Sequence, residues 1–138
     1  MFSLKKLLTK ILTGLHEVGR VRTVHSNTET LYSETIKYND GRLVTNMRIF
    51  VDVECTSSGF GGYYNANSVT LTDYPVAHAE GTIPTVVTTV RHVNGQSIYT
   101  LLAQNVSGRR NPGGIYVMRN SSGTGTIEVD IHAEGVWK

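Results

Sequence analysis

From Arg42 to Cys55 the residues alternate with a period of two. Leu43, Met47, Ile49, Val51, Val53 and Cys55 share one face, with Thr45 as the polar interruption, while Asn46, Arg48, Asp52 and Glu54 share the other. The same rhythm returns from Thr126 to Trp137, where Ile127, Val129, Ile131, Ala133 and Trp137 oppose Glu128, Asp130, His132 and Glu134. Successive side chains of a strand point to opposite faces, so each segment reads as a long antiparallel strand with one dry side. The expected core is Met47, Ile49, Val51, Val53, Ile127, Val129, Ile131 and Trp137. Gly135 marks a bulge or a close approach of neighbouring backbone.

Turn chemistry supplies the rest of an all-β chain. Asn39-Asp40-Gly41 joins Leu31–Tyr38 to Arg42–Cys55 as a hairpin, and Asn94-Gly95 joins Thr85–Val93 to Gln96–Gln104 as another. Ile115–Arg119 is a short strand before the Asn120–Gly125 turn, and Ser68–Asp73 adds one more. With about seven or eight short strands separated by Gly, Asn and Pro, the natural packing is an antiparallel β-sandwich of jelly-roll type.

In front of this lies a different pattern. Leu4, Leu8, Ile11, Leu15 and Val18 follow the a/d rhythm of a coiled coil, with Leu7 and Leu12 beside the seam and Lys5, Lys6 and Lys10 facing outward. Leu at a with Ile at d leans towards three or four strands. The stripe must cover the β domain, join copies of itself, or lie on a membrane surface. The chain therefore divides into a helical oligomerisation segment over 1–19 and a β-sandwich over 20–138.

Lys10 interrupts the apolar run and no small-residue cleavage site follows, so the segment does not read as a signal peptide. It is too short and charged to span a bilayer. The sequons Asn105-Val-Ser107 and Asn120-Ser-Ser122 read as turn residues. A net charge of +2 on 138 residues, with basic groups scattered, argues against a nucleic-acid partner. Cys55 is the single cysteine, on an apolar strand face, and reads as a buried reduced thiol.

Catalytic signatures are missing from the sequence. There is no Gly-x-Ser-x-Gly elbow, and the stretches Gly59–Gly62 and Gly108–Gly114 are not phosphate loops. Glu128, Asp130 and Glu134 lie on one strand face and read as surface rather than as acids across a cleft. His78-Ala-Glu-Gly81 recurs as His132-Ala-Glu-Gly135 with unmatched flanks, which we read as coincidence. Two such pairs brought together could ligate a divalent metal, but His-x-Glu on a wet strand face needs no ligand, so neither a metal nor a cofactor is expected. Binding is more plausible than catalysis. Phe60, Tyr63, Tyr64 and Asn65 on one loop, and Arg109, Arg110 and Asn111 on another, suit a sugar or protein surface. They equally suit a barrel end closed by tyrosines beside solvated arginines.

The order of these parts resembles a known class. Leu4-Lys-Lys-Leu-Leu-Thr-Lys-Ile-Leu12 leads into Val69-Thr-Leu-Thr-Asp-Tyr-Pro75 with Val86–Arg91, then Gly113-Gly-Ile-Tyr-Val117 with Thr126–Trp137. This texture resembles the C-terminal pieces of bacteriophage tail, tail-fibre and baseplate minor structural proteins. The resemblance implies a non-enzymatic homotrimeric head on a helical or fibrous stem. Its partners would be itself, other virion proteins and a host-surface saccharide or protein, and its place would be the virion. A monomeric carbohydrate-binding module and a membrane-surface protein are the rival readings.

Overall fold

The computed structural model describes residues 3–6, 8, 17–23, 30–93, 99–105 and 107–138. Its strands are β1 Glu17–Thr23, β2 Thr30–Tyr38, β3 Arg42–Ser58, β4 Tyr64–Ala66, β5 Val69–Thr70, β6 Thr85–His92, β7 Tyr99–Gln104, β8 Gly114–Arg119 and β9 Gly123–Val136. All pair antiparallel within one nine-stranded sheet, as the alternation predicts.

β3 is the spine. Along one edge it pairs with β9 from Arg42↔Val136 to Cys55↔Gly123 with no register shift. Along its other edge β2 covers the first half, from Lys37↔Leu43 to Thr30↔Ile49, and β4 covers the end at Cys55–Ser58. The β2–β3 turn closes through Gly41 N–H donating to the Tyr38 carbonyl at 3.0 Å. Gly41 sits at φ +98°, which an L side chain would resist.

From β4 the sheet turns back. β4 pairs with β8, and β8 pairs with β7, so Ile115 and Val117 of β8 join Val53, Cys55, Ile127 and Val129 in one core. The Cys55 thiol lies 3.8 Å from the Val117 carbonyl. Two layers are thus carried by one folded sheet. Each fully buried Ile or Val contributes about 1.5–3 kcal/mol of transfer free energy. Leu71, Tyr74 and Ala66 fill the remaining core.

Most of the expected core is buried: Met47, Ile49, Val53, Ile127, Val129 and Ile131. Val51 is only half-buried, packed at the margin of the cluster. Trp137 is also half-buried, just beyond the end of β9 at Val136, where the β3 ladder begins with Arg42. The indole N–H donates to the Tyr38 carbonyl at 3.0 Å, with the Lys37 and Lys138 ammonium groups 5.2 and 4.8 Å from the ring centroid.

The Asn94-Gly95 turn lies outside the described residues. The strands flanking it ladder elsewhere, β6 with β9 and β7 with β8. β9 is long enough to offer β6 its free edge from Thr85↔Glu134 to His92↔Ile127. Gly135 is a close approach: a Cβ there would stand 2.5 Å from His78 Nδ1.

Candidate functional site

The outward residues of β2, β3, β9 and β6 fall into rows across the sheet. Tyr32, Arg48, Asp130 and Thr89 are register partners in one row, and Glu34, Asn46, His132 and Val87 in the next. Rows two residues apart along a strand are separated by about 7 Å, so both belong to one small surface. All of them but the buried Glu34 line an open cavity of about 520 Å³.

Its side chains are fixed by one another. The Arg48 guanidinium forks onto Asp130, with Nε donating to Oδ1 at 2.7 Å and Nη2 to Oδ2 at 3.2 Å. Arg91 on β6 reaches Asp130 at 2.6 Å and Glu128 at 2.7 Å, and Arg48 stands 3.2 Å from Glu128. The hydrogen bond from Arg48, aided by Arg91, holds the Asp130 carboxyl below the usual carboxylate range. His132 Nδ1 lies 2.6 Å from Asn46 Oδ1, and the Tyr32 hydroxyl donates to Glu34. Such half-exposed ion pairs add little stability, so their effect is to hold planar polar groups in one orientation.

The loops singled out in the sequence are placed differently. Phe60 belongs to a 3₁₀ turn at Phe60–Gly62. Tyr63 is exposed, whereas Tyr64 packs against the core and Asn65 is half-buried, its Oδ1 atom without a partner among the described residues. In the other loop Arg109 is half-buried, 3.8 Å from Glu80, while Arg110 is exposed. Their carbonyls accept from His78 N–H at 2.9 Å and Tyr74 N–H at 2.8 Å. Asn111 is an internal brace. Its amide donates to the Leu71 carbonyl at 2.7 Å and to Asp73 at 2.8 Å, and its oxygen accepts from Gly113 N–H at 2.8 Å.

The two loops do not converge. Tyr64 meets Arg119 at one end of β8 and Thr70 meets Gly114 at the other, about 17 Å apart along the strand.

At the N-terminus, Ser3 Oγ accepts from Lys6 N–H at 3.3 Å, an N-cap bond. Leu4 is 72% exposed and Leu8 is 55% exposed. Ile11 and Leu15 lie outside the described residues, and Val18, placed by spacing at the end of the seam, lies in strand β1.

The two His-Ala-Glu-Gly copies do approach, though as packing. His78 is 1% exposed, its ring stands over Gly135, and its edge meets Tyr74 with centroids 5.2 Å apart. Among the described residues neither ring nitrogen has a partner, and burial pushes the imidazole below its ordinary pKa. Glu80 points outward, as do His132 and Glu134 on β9. Among the described residues no group of His, Cys, Asp and Glu could hold a metal ion. Burial raises the Cys55 thiol pKa, which makes it a poor nucleophile.

In the sequence the polar row of β3 and β9 reads as solvated surface. A signal was present in the opposite charges of Arg48 and Asp130 on the outward faces of the two best strands.

No protein-family model and no curated protein matches the chain. Among solved structures it is similar to an N-truncated R1-type pyocin tail fiber, with 98% of each chain covered, 16% identity and a TM-score of 0.45. It is also similar to a C-terminal portion of the P. aeruginosa R1 pyocin fiber, at 16% identity and a TM-score of 0.47. That match covers 98% of this chain and 32% of the fiber chain.

Proposed function

We propose that this chain is the β head of a homotrimeric attachment protein of the phage tail-fibre or baseplate class, held in the virion and bound to a host-surface saccharide or protein. The observation that carries the reading is the exposed apolar stripe of Leu4 and Leu8 on a Ser3-capped helical start. A monomeric module with its helix folded back would bury those leucines. Three copies in one seam would also bury them, and would present each head's surface three times, so that weak contacts combine. A short coiled coil is marginal alone, so contacts between heads supply much of the association energy.

The test is mass in solution by light scattering at micromolar protein. A trimer of the 15.2 kDa chain is expected, along with binding to whole host cells. Leu4→Asp with Leu8→Asp should lower both the mass and the cell binding. A monomeric wild type refutes the proposal, and sedimentation with anionic vesicles would favour a membrane role for the helix instead.

A further inference from the structure

The attachment reading leaves open which surface meets the ligand, and the loops first suspected are divided between an internal brace and two ends of β8. The sheet face of β2, β3, β9 and β6 has what a binding site requires. It carries an open cavity of about 520 Å³. Its polar side chains are held in place before any ligand arrives.

Their unused valences define the ligand. With the Asn46 oxygen turned to His132, Nδ1 is the donor of that contact, and Nε2, 4.0 Å from Glu134 Oε2, is the acceptor of the neutral ring. The same orientation leaves the Asn46 NH₂ as a donor. The Arg48 fork engages Nε and Nη2 and leaves Nη1 for an incoming oxygen. Donors and an acceptor thus stand side by side, the pattern a hydroxyl satisfies because it both gives and accepts.

Charge narrows the class. Arg48 and Arg91 are balanced by Glu128 and Asp130, so the face has no net attraction for a phosphate or carboxylate. Apolar area is also present. Val87 is 58% exposed at one margin of the cavity, and the half-buried Tyr32 stands at the other. Aromatic and aliphatic flanks beside planar hydrogen-bonding groups match a sugar ring, whose C–H faces and O–H edges need both.

We propose that this face binds a neutral, hydroxyl-rich saccharide between Tyr32 and Val87, with Asn46, Arg48 and His132 as its hydrogen-bonding residues. The proposal rests on the attachment reading and supplies its ligand class and site.

The experiment is binding of the full chain to an array of neutral hexose and N-acetylhexosamine oligosaccharides, with sialylated and phosphorylated ones alongside. The best neutral binder is then titrated. Wild type should prefer neutral members. His132→Ala, at a half-exposed position that folding tolerates, should weaken binding about ten-fold. Val87→Lys, which fills the cavity margin from an exposed site, should do the same, while Tyr63→Ala and Arg110→Ala should bind as wild type does. Preference for the anionic sugars overturns the proposal, as does binding indifferent to His132→Ala and Val87→Lys. A trimer that binds host cells but no arrayed sugar also overturns it and leaves attachment standing. A protein that binds no cells sinks the attachment reading itself.

Discussion

Replacing Gly135 by Ala should destabilise the fold through a single contact. A methyl there would stand 2.5 Å from His78 Nδ1, 3.0 Å from Cε1 and 3.2 Å from Pro84 Cβ, so something must move. His78 has little freedom to do so. Its N–H is bound to the Arg109 carbonyl at 2.9 Å, and the next N–H, of Ala79, is bound to the Val136 carbonyl at 2.8 Å. Overpacking of this kind costs about 1–3 kcal/mol. The lower chain entropy of Ala in the unfolded state returns about 0.4–1 kcal/mol. The net loss is therefore about 0–2.6 kcal/mol, or up to about 9 °C in Tm for a chain of this length. The assay is urea denaturation at fixed protein concentration, for wild type, Gly135→Ala, His78→Ala and the double variant. With the ring gone, the overpacking cost should vanish, giving a coupling energy of about 1–3 kcal/mol. An equal cost in both backgrounds would refute the packing argument and place the strain in the strand itself.

Two further outcomes are expected. His78 is held neutral by burial, so the folded protein resists its protonation while the unfolded chain accepts it near the ordinary value of 6.5. Stability is therefore full above that pH and declines as pH falls below it, by at most about 1.4 kcal/mol per pH unit, until the folded group also titrates. In His78→Phe that part of the acid limb should disappear, and urea midpoints at pH 7.5 and 5.0 that shift as in wild type would contradict it. Asn111→Ala removes the brace between Leu71, Asp73 and Gly113 and should cost about 1–3 kcal/mol in the same assay. A loss of ligand binding at unchanged stability would return Asn111 to the role its sequence suggested.

Period-two alternation was enough to place β3 and β9, because each has a dry face against the core and a one-residue slip would expose all of it, while β2 follows from the Asn39-Asp40-Gly41 turn. Edge choice was less legible. The Asn94-Gly95 turn predicts that its flanking segments pair, but the partner of β6 depends on which long strand offers a free edge, and that is a property of the assembled sheet. His78 shows a similar limit. Beside Glu80 in an extended stretch it reads as wet, yet the segment crosses the end of β9 where Gly135 has no side chain to hold it off. At the polar face the residue types were visible but their convergence was not. Arg48 and Asp130 are far apart in sequence and meet through the register of β3 with β9.

That register also governs the order in which the molecule can be made. β9 follows every other strand in sequence, yet it occupies the interior of the sheet between β3 and β6. The β2–β3 hairpin closes locally within microseconds once its turn is free. The β3–β9 ladder must wait for nearly the whole chain, and non-local pairing of this kind places folding in the millisecond-to-second range. On a ribosome adding about 5–20 residues per second, the dry side of β3 stays uncovered for seconds with one edge unpaired. Sticky nascent chains are the hazard of such a layout. Any association through the leading helix that ran ahead of β9 would bring together heads whose interiors were still open.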